Sequence, residues 1–118
     1  LIVDTKNAPG AIGLSQAYET NGLVITSGQL PVNPADGAMP EASPPRPSGA
    51  VGMWAPFWAA GSGFDKVVKT TCFLADIADL PPFNEVYARY FTSKPARSCV
   101  AVKALQGALC EIEAIAVK

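Results

Sequence analysis

"DKVVKTTCFLADIADLPPFNEVYARYFTSKPARSCVAV", Asp65 to Val102, sets a strand, a helix and a second strand in one run. Asp65 to Asp76 is rich in Val, Thr, Cys and Phe, which suit a pleated, half-buried surface, and reads as a central strand. Asp79 can cap the helix that follows. Pro81 or Pro82 can occupy its first turn, where a missing N–H costs nothing. Phe83, Val86, Tyr87, Tyr90 and Phe91 recur at helical spacing. Lys94 to Val102 then reads as a buried strand that carries one guanidinium, Arg97. Arginine is rarely buried without a partner, so Arg97 either sits at the rim of a surface or waits for something negative.

Outward from this run the pattern continues. Ala17 to Thr20 and Leu23 to Ser27 read as two strands joined by Asn21-Gly22, the strongest short hairpin signal. Gly28 then permits an unusual backbone angle or a close approach by another group. Pro31, Pro34, Asp36-Gly37 and Pro40 mark a long loop. Ser48 caps a further predicted helix to about Ala60, kinked at Pro56 and ended by Gly61 and Gly63. Val51, Trp54, Phe57 and Trp58 share one face of it, with Phe57 or Trp58 a candidate ligand wall. "ARSCVAVKAL" and "ALCEIEAIAVK" are two more strands, joined around Gln106-Gly107. Hairpin, helix, strand, helix and two strands predict an α+β fold, a mixed sheet with two helices on one face. The other face then needs a cover, which points to self-association.

Composition narrows the function. At 118 residues the chain is expected to be one domain, 1–118, and 49% hydrophobic residues supply a core. Only 16% of residues are charged, against a usual quarter, again as if copies of the chain cover part of the surface. The net charge is −1 and the nine Lys and Arg are scattered, so nucleic acid is not an expected partner. "AVGMWAPFWAAGSGF" is broken by glycines and a proline and does not read as a membrane span. No basic leader or cleavage pattern is seen, and a cytoplasmic location is expected. Cys72, Cys99 and Cys110 read as three buried free thiols without metal-like spacing. Histidine is absent, which excludes His-based triads, His metal sites and histidine proton shuttles.

The candidate site residues keep two readings each. Pro95 aims Arg97, whose planar fork matches a carboxylate at two points; it serves equally as the partner of an internal Asp or Glu. Glu111 and Glu113 alternate with Cys110, Ile112 and Ala114, so both point to a face that continues with Ile115 and Val117. A carboxylate there is desolvated, which raises its pKa toward acid–base use near neutrality. The same residues also suit an edge strand whose charges block aggregation. "TSGQ", Thr26 to Gln29, could cradle an oxygen-bearing ligand. Asn84 could simply face solvent, and Tyr87 and Tyr90 suit core or interface.

"NAPGAIG", "SQA", "VITSGQLPVNP", "AAGSGFDKVVKTTCFLAD", "FNEVYARYF", "PARSCVAV" and "EIEAIAV" together resemble the RidA/YjgF family of imine deaminases, in order and along almost the whole chain. The resemblance implies a subunit like chorismate mutase of the bacillus type, a homotrimer with clefts between neighbours, and no cofactor. It implies hydrolysis of 2-imino acids such as 2-iminopropanoate and 2-iminobutanoate, escaped from pyridoxal-phosphate enzymes, to 2-oxo acids and ammonia. Carried over by position, Arg97 clamps the substrate carboxylate, Cys99 contacts it through the main chain, and Glu111 rather than Glu113 positions water. Ser27, Gly28 and Asn84 line the same cleft. "AIGLSQA" is one residue shorter than the family's usual stretch, and Leu14 stands near the place of a cleft tyrosine. The Pro- and Trp-rich stretch over 44–58 is foreign to the family's polar first helix. Two other readings are a non-catalytic module that binds small carboxylates and a ribonuclease-type translation inhibitor.

Overall fold

In the computed structural model, which describes residues 1–4, 13–28, 60–103 and 110–118, burial alternates residue by residue along the last strand. Cys110, Ile112, Ala114 and Ala116 are buried, while Glu111, Glu113, Ile115 and Val117 lie on the other face. This strand, Cys110–Val117 (β6), belongs to a six-stranded sheet with Ile2–Val3 (β1), Ala17–Thr20 (β2), Leu23–Thr26 (β3), Val67–Leu74 (β4) and Ala96–Ala101 (β5). The order is β1-β2-β3-β6-β4-β5. Only the β4–β5 pair is parallel. Parallel neighbours cannot be joined by a tight turn, and the helix Leu80–Tyr90 (α1) makes the crossover between them. The mixed α+β sheet is the predicted one. Of its two predicted helices, α1 is present; the earlier one lies outside the described residues, apart from Ala60 in a turn.

Local chemistry accounts for the element ends. Asn21 at φ 50° and Gly22 at φ 76° take the two left-handed positions of the β2–β3 turn, which matches the twist of paired strands. β3 ends at Thr26, one residue before the predicted end. β4 is shorter than Asp65 to Asp76, because Phe64–Lys66 closes a 3-10 turn first. A second such turn, Ile77–Asp79, leads into α1, and it is Asp76 that caps it, with Oδ1 accepting from the Ala78 N–H at 2.9 Å. Asp79 holds the N-cap position of α1 without a side-chain bond, and Pro81 and Pro82 fill the first turn.

The core lies between α1 and one face of the sheet. Phe83, Tyr87 and Phe91 of α1 are buried with Val67, Thr70, Cys72 and Leu74 of β4, the inward residues of β6, and Val24. Tyr87 stacks on Phe91 with ring centroids 4.3 Å apart, and Phe64 meets Phe91 edge-on at 5.3 Å. Thr26 is buried as well; its Oγ1 accepts from the Ala114 N–H at 3.0 Å and fastens β3 to β6. Cys72 and Cys110 are buried free thiols, and burial pushes their pKa values up to about 12 and about 11. Cys99 is only half-buried, against expectation.

Among the described residues, the opposite face is open. Ile2, Tyr18, Ile25 and Ile115 are registered side by side across β1, β2, β3 and β6 and form an apolar row. Tyr18 remains 49% exposed and Ile25 38%, so the described residues leave this row uncovered. β5 is also more exposed than its apolar sequence suggests: it is an outer strand, paired with β4 alone, and only Cys99 is half-buried. No helix among the described residues is long and apolar enough to cross a membrane.

Phe83, with none of its surface exposed, ties α1 to the sheet. Phe83→Ala is expected to cost about 3–5 kcal/mol through lost burial and the cavity left behind, read as a lower midpoint in urea at unchanged slope.

Candidate functional site

Arg97 leads the first group of candidate residues. It is registered with Thr70 of β4, so its side chain rises from the face that carries α1. There its Nη1 donates to Asn84 Oδ1 at 2.7 Å, and its Cζ lies 4.8 Å from the centre of the Tyr87 ring. Asn84 and Tyr87 are three apart on α1 and share one helix face, which is why both reach one guanidinium. Asn84 thus meets Arg97 rather than solvent alone. The Tyr87 hydroxyl is in turn 2.6 Å from Thr70 Oγ1. Arg97 is exposed, and among the described residues no carboxylate pairs with it; the ion pair found there is Lys118–Glu19. Of its two readings, the internal acidic partner finds no support among these residues.

Cys99 lies one pleat along from Arg97 on the same face, on the outer strand. Burial raises its thiol pKa, and the Arg97 charge only partly offsets this. The thiol is therefore a poor nucleophile at neutral pH.

The second group is on the open face. β6 runs between β3 and β4, so Glu111 and Glu113 do not lie on an edge strand, and the anti-aggregation reading fails for that reason. Gly28 follows β3 and its backbone lies against the Glu111 carboxylate. A Cβ built there would run into Glu111 Oε1 and sit 2.8 Å from its Cδ. Glu111 is half-buried, and its pKa is raised, first by burial and then by the like charge of Glu113. Ser27 braces the approach: its Oγ donates to the Ser15 carbonyl at 2.6 Å, and its N–H donates to the Gln16 carbonyl at 3.0 Å. Leu14, just before this brace, is 67% exposed. Of "TSGQ", Thr26 is a buried tie between strands, and Gln29 lies outside the described residues with Phe57 and Trp58.

The structure thus brings Arg97, Asn84 and Cys99 together, and Gly28 and Glu111 together, but not the two groups with each other. Arg97 is level with Thr70 on the helix-bearing face of β5. Glu111 is level with Phe73 on the open face of β6, two strands away. One chain does not hold both groups against a single small molecule.

The family model described as Endoribonuclease L-PSP matches residues 5–118. The chain belongs to this Rid family. It is 42% identical over 124 residues to the 2-iminobutanoate/2-iminopropanoate deaminase of Escherichia coli K12, covering 98% of this chain and 96% of the relative. Among solved structures, a Rid family protein, YyfA of Yersinia pestis, superposes with a TM-score of 0.92 at 43% identity, covering 100% of this chain and 98% of that one. Escherichia coli TdcF, crystallised with bound serine, superposes with a TM-score of 0.85 at 36% identity, covering 100% and 98%. Within this Rid chain, Tyr87, which its spacing suited to core or interface, and Thr70 of β4 are further neighbours of the candidate site. The signal was the spacing of Asn84 and Tyr87; what it lacked was the register that sets Arg97 over the helix.

Gly28→Ala is expected to displace the flexible Glu111 carboxylate toward water rather than move backbone. A side-chain NMR titration should then find the Glu111 pKa lowered toward the ordinary carboxylate range, with unfolding free energy changed by less than about 1 kcal/mol.

Proposed function

We propose that this protein hydrolyses 2-imino acids to 2-oxo acids and ammonia, at sites completed between copies of the chain in a homotrimer. The observation that carries this reading is the split of two prepared groups across the sheet: a guanidinium without a described counter-charge on one face, and a desolvated carboxylate against a glycine on the other. A second copy laid over the open apolar row would cover it and bring its Arg97 to this chain's Glu111. The activity named for the Escherichia coli relative supports the chemistry.

The mechanism follows from charge. Arg97 holds the substrate carboxylate, with Cys99 offering main-chain contacts beside it. The substrate reacts as its N-protonated iminium: Glu111 accepts a proton as water adds to the iminium carbon, giving a neutral carbinolamine. It returns the proton to the nitrogen, which leaves as ammonia while the hydroxyl oxygen closes to the carbonyl and gives up its own proton. An iminium carbon is already strongly electrophilic, so the lack of histidine is no obstacle. These residues need no cofactor for the steps written.

A second reading, binding of small carboxylates without turnover, draws on the serine held by TdcF and requires Arg97 but not Glu111. Ribonuclease action is named in the description of the family model, but the sequence disfavours it: the net charge is −1, the Lys and Arg are scattered, and there is no histidine to act as the usual general base.

The test generates 2-iminobutanoate in situ and follows its loss. Arg97→Ala is expected to lower kcat/KM about 100-fold, and Glu111→Gln to lower kcat at least about 100-fold. In wild type, kcat/KM should fall on the acid side with a midpoint above 4.5, because a protonated Glu111 cannot accept the water proton. Glu113→Gln removes the like charge and should move that midpoint down. A Glu111→Gln enzyme as fast as wild type defeats the hydrolytic reading and leaves the binding module.

A further inference from the structure

We infer that Tyr87 is the positioning residue of the carboxylate site: its ring is the platform that fixes the plane of the Arg97 guanidinium. This rests on the reading of Arg97 as the carboxylate clamp, and not on hydrolysis.

An exposed arginine on an outer strand has several rotatable bonds, and ordering it at the moment of binding weakens the complex. Here two contacts order it beforehand. The Tyr87 ring lies 4.8 Å from Cζ, within the range at which an aromatic face attracts a cation. Asn84 Oδ1 accepts a hydrogen bond from Nη1 at 2.7 Å, which sets the rotation of the fork over the ring. Among the described residues, the Nε–Nη2 edge is left for a carboxylate.

The platform is itself immobilised. Tyr87 is 9% exposed and is stacked on Phe91 at 4.3 Å and tilted against Phe83 at 5.9 Å. Its hydroxyl is 2.6 Å from the oxygen of Thr70, which is wholly buried. Thr70 is also the residue registered with Arg97 across the β4–β5 ladder. Strand register therefore places the base of the arginine, and the same threonine holds the ring that receives its tip. Tyr87 touches the guanidinium and not the substrate.

The consequence is specific. Arg97 grips the carboxylate before and during reaction alike, so a loosened guanidinium weakens binding and leaves the chemical step alone. Tyr87→Leu is expected to raise KM about five-fold with kcat unchanged. It should weaken binding of the product 2-oxobutanoate, measured by NMR titration, by the same factor. Tyr87→Phe keeps the ring and loses the Thr70 bond; it should melt lower than wild type yet bind 2-oxobutanoate within about two-fold of it. In wild type the Nε–Hε cross-peak of Arg97, assigned by its loss in Arg97→Ala, should be shifted by the ring current, and should keep that shift in the Phe variant. A purely structural role predicts instead that affinity follows stability through both variants. An unshifted wild-type cross-peak, or a Phe variant that binds five-fold more weakly than wild type, overturns the inference, and neither result requires the Leu variant to fold. If the wild type binds 2-oxobutanoate but turns over no imine, hydrolysis falls and the same affinity comparison still decides the role of Tyr87.

Discussion

The pleat of the sheet governs everything else in this protein. Successive side chains of a strand must face opposite sides, so β6 buries Ile112 and Ala114 and turns Glu111 and Glu113 outward in the same eight residues. The same rule on β5, through its parallel register with β4, turns Arg97 toward α1. A one-residue slip of β6 would turn both glutamates into the core, and one of β5 would carry Arg97 away from α1 to the other face. The packing of Phe83, Cys72, Leu74 and Ile112 holds the register, and it thereby holds two charged groups apart on opposite faces.

This separation has a chemical use. Within one chain the two groups cannot pair, so each is presented to whatever lies over its own face. In the proposed assembly the substrate stands between them, and its carboxylate rather than Glu111 takes the Arg97 fork. Arg97 rests on an aromatic ring and an amide oxygen, neither of which neutralises it. Glu111, half-buried against Gly28 with Glu113 nearby, keeps a raised affinity for a proton. The open apolar row beside it offers the surface on which a second copy would complete the pair.

Much of this was legible in local sequence. Asn21-Gly22 named its turn, Pro81 and Pro82 named the start of α1, and the alternation of Glu111 with Cys110 and Ile112 gave the outward face of β6. These are short-range signals, set by allowed backbone angles and by period. The exposure of β5 was misread because an apolar run looks alike in a central or an outer strand; the difference is the number of neighbours, which depends on strand order. The insertion of β6 between β3 and β4 removed the edge-strand reading of its glutamates for the same reason. Thr26, read within a stretch that could cradle a ligand, proved a buried tie to Ala114, and Tyr87 read as core or interface without its place beneath Arg97. Each of these depends on a pairing between residues far apart in the chain, which no periodicity records.

The account is tested most directly by mixing defects. Subunits carrying Arg97→Ala and subunits carrying Glu111→Gln are co-expressed, mixed trimers are verified by mass spectrometry, and imine hydrolysis is measured. Each mixed trimer regains one intact site, so random mixing should restore about a quarter of wild-type activity from two nearly inactive parents. Mixed trimers no more active than their parents would contradict a site shared between copies.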